Sequence, residues 1–289
     1  MIYLTKEDWN SLILPKLTEN NSFNDQFSEL SKIYSTMRIF IKQIYKHINQ
    51  SEQSQLFMAA MTTFHKYRIC SNFSLNKYSS EELYFILGAC LFIGQKVTNI
   101  LGHNLEDLSK YIRIIIQKKD PNKKVEKVYI KNKLKEREME ILINIGFNLD
   151  VDFNFPFFNK IKEYISKINI NADNFITLLN YFIKDSFILP ISLYYTPNTV
   201  TISCVLLLKQ KYNLKVINLS EIISLSEYKL DEREIQDCAS IINKLEETIT
   251  EKCKSQVNNK TTSNANTNTV NSTEASVTKI IPSIKMNIS

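Results

Sequence analysis

The sequence predicts an all-α protein built from two tandem five-helix units. Apolar residues recur at helical spacing from Ser35 to about residue 250, and the pattern restarts after residue 150. The 289 residues include only 4 glycines and 6 prolines. Sheet-rich folds need many positive-φ turns, and only glycine supplies these at low cost. Helices are therefore favoured throughout.

The same pattern divides the chain into four parts. We expect an N-terminal arm over 1–34, a first helical unit over 35–150 and a second over 151–252. Residues 253–289 are expected to be a disordered tail, because Asn, Ser and Thr dominate there and no helical stripe is present. Such a segment cannot bury enough apolar surface to offset the entropy of ordering.

Five segments make up the first unit. They are expected over roughly 35–48 and 53–70, from Ser79, from about Asn104 and over 130–145. The third segment is apolar on every side between Leu83 and Ile93, so it should be the central helix of the unit. Ser79 and Glu82 have the spacing of a capping box at its start, and Gly146 is placed to end the fifth helix.

Five further segments make up the second unit. They are expected from Pro156, over 173–187, from Thr196, near 219–225 and from Asp231. Pro156 and Pro197 occupy the first-turn position that proline favours. The third segment is again the most apolar. Cys90 and Cys204 occupy comparable places in the third helices of the two units, as small core residues do.

Composition and motifs argue against several classes of function. The three histidines, His47, His65 and His103, lack metal-ligand spacing, and the five cysteines form no CxxC pair, so we expect no metal site and no cofactor. No phosphate loop, nucleophile elbow or zinc-protease motif occurs, so a non-catalytic protein is expected. The N-terminus lacks a signal-peptide pattern, and the apolar run from Leu83 to Gly94 is too short to span a bilayer.

One carboxylate departs from the usual polar pattern. Leu134, Glu138 and Leu142 are spaced i, i+4, i+8 and share one helix face, so Glu138 lies within an apolar stripe. It is either a boundary glutamate turned towards solvent or a charge held on an apolar surface to meet a partner. Two interpretations are also open for Lys96 at the end of the third helix: a cation that the helix dipole favours there, or a charge held to meet a partner.

Several segments resemble the cyclin family in their order and spacing, over roughly residues 35–250. FMAAMTTFHKY (57–67) resembles the second helix of the cyclin box, LGACLFIGQKV (87–97) the third and EREMEILINIGFNL (136–149) the fifth. NYFIKDS (180–186), followed by Thr196-Pro197, is similar to transcriptional cyclins. Among the subtypes the chain is most similar to cyclin L, then to cyclins K and T, and the long basic connection 117–133 resembles that of cyclin L.

The resemblance implies two tandem cyclin folds and a partner, a cyclin-dependent protein kinase bound as a heterodimer. In the family, the first unit packs against the kinase helix whose glutamate pairs with the ATP-positioning lysine. The resemblance also implies a nuclear location and a role in transcription or RNA processing. The kinase-binding residues of the family map onto Lys96, Val97, Glu138, Leu142, Phe147 and Leu149.

A basic segment between residues 118 and 137 allows a second interpretation. Its candidate patch contains Lys118, Lys119, Lys123, Lys124, Lys127 and Lys131. These lysines are either a solvated loop and helix face or a surface for RNA or an acidic protein. Two alternatives to a kinase regulator therefore stay open: a cyclin-fold transcription factor or nucleic-acid-binding adaptor without a kinase, and a helical adaptor of another kind.

Overall fold

The computed structural model of the chain describes residues 20–46, 48–71, 77–100, 105–151, 155–168 and 170–263. Within these residues, ten α-helices and one short 3₁₀-helix make up the regular secondary structure. The helices form two compact units, which confirms the predicted all-α class with five helices in each unit. The residue limits given above for the four parts of the chain stay predictions.

The first unit contains the helices α1 to α5. Their bounds are α1 Asn20–Ile44, α2 Gln50–Cys70, α3 Ser80–Thr98, α4 Leu105–Lys119 and α5 Lys127–Asn144, and α1 belongs to this unit from Asp25 onward. α1 begins inside the segment predicted as an arm, so the prediction of a helix over 35–48 began it too late. Phe27, Leu30 and Ile33 are buried, and they extend the apolar helical pattern upstream of Ser35.

The second unit contains the helices α6 to α10. Their bounds are α6 Phe155–Lys167, α7 Ala172–Ser186, α8 Pro197–Lys211, α9 Leu219–Ser224 and α10 Glu232–Ser263. α10 runs past residue 252 into the segment predicted as a disordered tail, so that prediction is corrected for residues 253–263. The rest of the predicted tail, 264–289, lies outside the described residues.

The central helix of the first unit is α3, as predicted. The Ser79 side chain accepts a hydrogen bond from the Glu82 amide, and the Glu82 carboxylate accepts one from the Ser79 amide, which completes the capping box. Every residue from Tyr84 to Leu91 is buried. A Cβ atom on Gly94 would lie 3.0 Å from the backbone nitrogen of Ala60, so this glycine allows α2 and α3 to pack closely.

The corresponding helix of the second unit is α8. Thr196 caps it, Pro197 occupies its first turn, and all residues from Asn198 to Leu208 are buried. α8 packs against α7 and α10, and its Ser203 hydroxyl donates a hydrogen bond to the carbonyl oxygen of Ile235, at 2.9 Å. Cys90 in α3 and Cys204 in α8 are both buried, as expected from their places in the sequence.

One segment lies with the first unit although it follows α7 in the chain. Phe187–Tyr194 belongs to that unit, and its 3₁₀-helix, Pro190–Leu193, packs against α2. His65 is buried, and its Nε2 lies 2.9 Å from the carbonyl oxygen of Phe187. Burial lowers the pKa of His65 to about 3, so the ring is neutral and Nε2 donates its proton to this carbonyl.

Candidate partner-binding surface

The two charged residues singled out in the sequence meet on the surface of the first unit. Lys96 lies in the last turn of α3 and Glu138 in the middle of α5, and these helices pack against each other. The Lys96 Nζ lies 2.5 Å from the Glu138 Oε1. The Lys96 side chain is 55% exposed and the Glu138 side chain 13%. The lysine thus faces solvent while the carboxylate is largely covered.

The neighbours of this ion pair explain its geometry. Leu134, one turn before Glu138, is buried, and Leu142, one turn after it, is half-buried, so the carboxylate lies within an apolar stripe as the spacing predicts. The Lys96 Nζ also lies 4.4 Å from the centroid of the Phe92 ring, a cation–π contact. One ammonium and one carboxylate are therefore held at the edge of an apolar surface.

The four predicted apolar contacts line the same ends of α3 and α5. Val97, Leu142 and Leu149 are half-buried, whereas Phe147 is 60% exposed. Exposed aromatic side chains beside partly covered aliphatic ones are typical of a binding surface. The structure thus leaves these side chains available to a partner, with Phe147 projecting furthest.

The backbone that presents Phe147 has an uncommon conformation. Gly146 has φ +61° and Phe147 φ +55°. The Phe147 amide donates to the Leu142 carbonyl at 2.8 Å and the Gly146 amide to the Ile143 carbonyl at 3.1 Å, which is the Schellman pattern of helix ends. A positive φ is costly for a bulky residue such as phenylalanine, and such conformations concentrate at functional sites.

A buried lysine holds the chain directly after Phe147. The Lys66 Nζ donates to the Asn148 carbonyl at 3.2 Å, the Asn148 Oδ1 at 3.1 Å and the Asp150 carbonyl at 2.7 Å. Burial lowers the pKa of Lys66, and the three oxygens offset the loss of water around the ammonium. Lys66 lies within the α2 motif that resembles cyclins, but sequence reasoning did not assign it to the site.

The side of α5 that faces α2 and α3 is fixed by a polar network. The Tyr67 hydroxyl donates to the Glu140 Oε1 at 2.6 Å, and Arg137 pairs with Glu140 and with Glu82 of α3. Burial and the hydrogen bond to Glu140 raise the pKa of Tyr67 well above its ordinary range. These contacts join α2, α3 and α5, and they fix the rotation of α5 about its axis.

Two exposed residues of α5 were not predicted. Met139 is 53% exposed and Ile143 61% exposed. They are spaced i, i+4, so they lie on one face of the helix. This spacing was visible in the sequence, but whether such a pair faces the core or the solvent depends on packing that the sequence does not show.

The lysines of the basic segment are partly matched by carboxylates. Lys123 pairs with Glu81 of α3. Lys127 and Lys131 both pair with Glu106 of α4, Lys131 at 3.3 Å. Each contact brings together residues that are distant in the sequence. Three of the six predicted patch residues therefore contact acidic side chains of their own unit.

The other three lysines of the predicted patch lie on the surface. Lys118, Lys119 and Lys124 are exposed, and the Lys119 Nζ lies 5.0 Å from the centroid of the Tyr84 ring. Nucleic-acid surfaces combine a concentrated positive charge with aromatic residues on which bases stack. The internal ion pairs reduce that charge here, and binding of RNA or an acidic protein stays a prediction.

Within the described residues, no cluster of three or more His, Cys, Asp or Glu side chains is arranged to hold a metal ion. None of the helices in this part of the chain combines the length and the apolar character needed to cross a bilayer. Two of the three histidines, His47 and His103, lie outside the described residues.

Two five-helix units, each built around a buried central helix, define the class of fold. No protein-family model matches the sequence, and no curated protein matches it. A search of solved structures does find a match: the chain is similar to the X-ray structure of a viral cyclin from herpesvirus saimiri. The match has a TM-score of 0.51 at 12% sequence identity and covers 76% of this chain and 86% of that chain. The chain therefore has a cyclin fold.

Proposed function

We propose that this chain is a regulatory subunit that binds and activates a cyclin-dependent protein kinase. One observation carries the proposal: on a cyclin fold, the Lys96–Glu138 ion pair borders exposed and half-buried apolar side chains at the ends of α3 and α5. The site offers contacts for another protein. The chain would act as the non-catalytic member of a heterodimer, and catalysis would belong to the kinase.

The chemistry of the surface fits the docking of a helix. Phe147, Leu142 and Val97 supply apolar area, whose removal from water favours association. The Lys96 ammonium and the second oxygen of Glu138 can bond backbone groups at the end of a partner helix. In a kinase, displacement of the helix that carries the conserved glutamate completes the ATP site. A surface that holds this helix in its active position would therefore activate the enzyme.

The proposal also covers the cyclin subtype, which is transcriptional, and the cellular location, which is the nucleus. The segments that resemble transcriptional cyclins, above all cyclin L, support a kinase partner that acts in transcription or RNA processing, and hence a nuclear location. The alternative, a cyclin-fold transcription factor or nucleic-acid-binding adaptor, requires a strongly basic face. The pairing of Lys123, Lys127 and Lys131 with carboxylates favours the kinase regulator over this alternative.

Co-expression with a panel of transcription-type kinases tests the proposal. Pull-down of the intact chain should recover a kinase, and the complex should phosphorylate a peptide substrate at least tenfold faster than the kinase alone. Recovery of nucleic acid instead, with no kinase and no stimulation, would support the adaptor.

A charge exchange tests the assignment of the surface. Lys96→Glu combined with Glu138→Lys keeps the internal ion pair but reverses the charges that a partner meets, so it should abolish or strongly weaken the complex. Lys133→Glu combined with Glu136→Lys is the matched control, because this exposed pair at 2.7 Å lies on the same helix. The site assignment is wrong if both exchanges leave kinase binding unchanged.

A further inference from the structure

The positive charge of the chain is concentrated at the connection between α4 and α5. Between residues 118 and 135 the sequence contains eight lysines, no arginine and two acidic residues, Asp120 and Glu126. These residues carry a net charge of +6, which equals the formal net charge of the whole chain, so the charges of all other residues sum to zero. A local excess of one sign attracts partners of the opposite sign.

Carboxylates of the first unit offset only part of this excess. Four of the eight lysines pair with glutamates that lie outside the segment, which are Glu81, Glu106 and Glu136. Counting these three glutamates leaves a net charge of +3. The other four lysines are exposed, and within the described residues no carboxylate lies in ion-pair distance of them; they are Lys118, Lys119, Lys124 and Lys135.

Contacts with α3 place these lysines beside an exposed aromatic ring. Tyr129, in the first turn of α5, packs edge-on against Phe85 with the ring centroids 6.2 Å apart, and 46% of Tyr129 stays exposed. Glu81, which pairs with Lys123, lies one turn before Phe85 and therefore on the same face of α3. The Lys133 Nζ lies 6.0 Å from the centroid of the Tyr129 ring. Ammonium groups from the connection and from α5 thus lie next to this ring.

Exposed apolar area adjoins the lysines. Val128 precedes Tyr129 and is 66% exposed, and Lys124 lies four residues before Val128. At the end of α4, the Lys119 Nζ lies 5.0 Å from the centroid of the Tyr84 ring of α3. We call this set of residues the basic–apolar surface; it contains Lys118, Lys119, Lys123, Lys124, Val128 and Tyr129.

The basic–apolar surface is separate from the surface proposed to bind the kinase. Val128 lies in the first turn of α5, and Glu138 lies about 15 Å further along the helix axis. Lys118 and Lys119 end α4, a helix that contributes no residue to the kinase-binding surface. A second partner therefore has contact residues of its own in the first unit.

The composition of the surface favours a protein segment over a nucleic acid. Nucleic-acid surfaces use arginine and several aromatic rings for stacking, whereas this surface has lysines without arginine and a single exposed ring, that of Tyr129. Phosphate groups gain nothing from the exposed Val128, but an apolar side chain does. Lys127 and Lys131 already share the carboxylate of Glu106, so lysines spaced i, i+4 here bind one carboxylate together.

We propose that the basic–apolar surface binds an acidic segment of another protein, in which Asp and Glu side chains flank one or two apolar residues. The carboxylates of that segment pair with Lys118, Lys119 and Lys124, and its apolar side chain covers Val128 and Tyr129. This inference goes beyond the proposed function, because the segment belongs to a second partner and not to the kinase.

Peptide selection measures the charge of the bound segment directly. The intact chain serves as bait for a phage-displayed library of random peptides of about a dozen residues. Enriched peptides should carry several Asp and Glu residues together with at least one large apolar residue, and their binding should weaken about tenfold from low to physiological salt. No enrichment, or enrichment of neutral or basic peptides, would overturn the inference.

An uncharged peptide and an RNA provide two comparisons. In the first, every Asp and Glu of an enriched peptide is replaced by Asn and Gln, which should raise the Kd about tenfold or more. In the second, oligouridylate of the same length competes with the peptide and should bind about tenfold more weakly or worse. Equal binding of the charged and uncharged peptides, or tighter binding of the RNA, would show that the surface does not select an acidic protein segment.

Neutralising two lysines tests the location of the site. Lys119→Gln with Lys124→Gln should raise the Kd of an enriched peptide about tenfold and leave the recovery of the kinase unchanged. Lys215→Gln with Lys229→Gln is the matched control, because both lysines are exposed in the second unit, and it should leave the Kd within about twofold. Equal losses of peptide binding from the two pairs, or an equal loss of kinase binding in the first pair, would overturn the inference.

Removing an exposed valine tests the apolar contact. Val128→Ser should raise the Kd of the enriched peptide about fivefold, whereas Val216→Ser, at an exposed valine of the second unit, should leave it within about twofold. An unchanged Kd in Val128→Ser would overturn the assignment of an apolar contact. Circular dichroism checks that all variants retain their helices. Peptide binding by a chain that recovers no kinase would refute the proposed function alone.

Discussion

In the part of the chain that the structure describes, the first unit buries one lysine, Lys66, and the second unit buries one glutamate, Glu246, and the two are stabilised in opposite ways. In the first unit, Lys66 of α2 is buried and donates to three oxygens of Asn148 and Asp150. In the second unit, Glu246 of α10 is buried, and burial together with Asp185 of α7 raises its pKa to about 7. Hydrogen bonds to three oxygens stabilise the Lys66 ammonium, whereas the raised pKa of Glu246 leaves its carboxyl group partly protonated at neutral pH.

The contrast between Lys66 and Glu246 shows that the two buried side chains have different structural consequences. The bonds of Lys66 end on the chain that follows Phe147, so they fix the segment that belongs to the candidate surface. Glu246 lies among Asp185 and Lys211 of its own unit, and only Lys211 lowers its pKa. A buried group that is fully bonded can hold a surface in position, whereas one that is partly neutralised makes the stability of its unit depend on pH.

The largest effect is expected from removal of the buried ammonium. Lys66→Met should lower the free energy of unfolding by about 4 kcal/mol, because the oxygens of Asn148 and Asp150 lose their shared donor. It should also weaken kinase binding, since the segment after Phe147 is no longer held. Chemical denaturation and the pull-down described above measure both effects.

The matched control for Lys66 is a lysine of the second unit. Lys160 is partly exposed and pairs with Glu227 at 2.9 Å, so Lys160→Met should cost less than about 0.5 kcal/mol. Similar losses of unfolding free energy in Lys66→Met and Lys160→Met would show that the hydrogen bonds of Lys66 stabilise the fold no more than an exposed ion pair does.

A somewhat smaller effect is expected from Glu246, and it depends on pH. Its pKa is higher in the folded chain than the ordinary 4.5, so the folded state binds more protons and stability falls as pH rises from about 4.5 to about 7. Glu246→Gln removes the titrating group. The variant should match the wild type near pH 4 and exceed its unfolding free energy by up to about 3 kcal/mol at pH 8.

Denaturant unfolding between pH 4 and pH 8 measures this dependence. The neighbouring Glu247 is exposed, so Glu247→Gln is the control and should leave the pH profile unchanged. A wild-type profile that does not fall between pH 5 and pH 8, or an unchanged profile in Glu246→Gln, would contradict the prediction.

The smallest effect on stability is expected at Phe147. Glycine adopts a positive φ freely, so Phe147→Gly should preserve stability or raise it by up to about 1 kcal/mol. The same change removes an exposed aromatic side chain and should weaken kinase binding about tenfold. Phe147→Ala should weaken binding equally without the gain in stability. An increase in kinase affinity in either variant would show that Phe147 does not belong to the kinase-binding surface.

The sequence was sufficient for the helices whose own pattern reports their burial. The all-apolar run of α3 and its cap at Ser79 predicted a central helix, and Thr196-Pro197 predicted the start of α8. Gly146 was correctly placed at the end of α5. These features are local, because helical period, caps and glycine conformations depend on residues a few positions apart. The pair Lys96 and Glu138 was found through the resemblance to cyclins and the stripe around Glu138.

Only the tertiary structure decided the features that join distant parts of the chain. Lys66 bonds residues more than 80 positions away, and the segment Phe187–Tyr194 lies with the first unit although α7 and α8 belong to the second. The exposure of Met139 and Ile143 likewise follows from which face of α5 meets α3. Sequence period shows that a helix has an apolar face, but the partner of that face is set by packing between elements far apart in the chain.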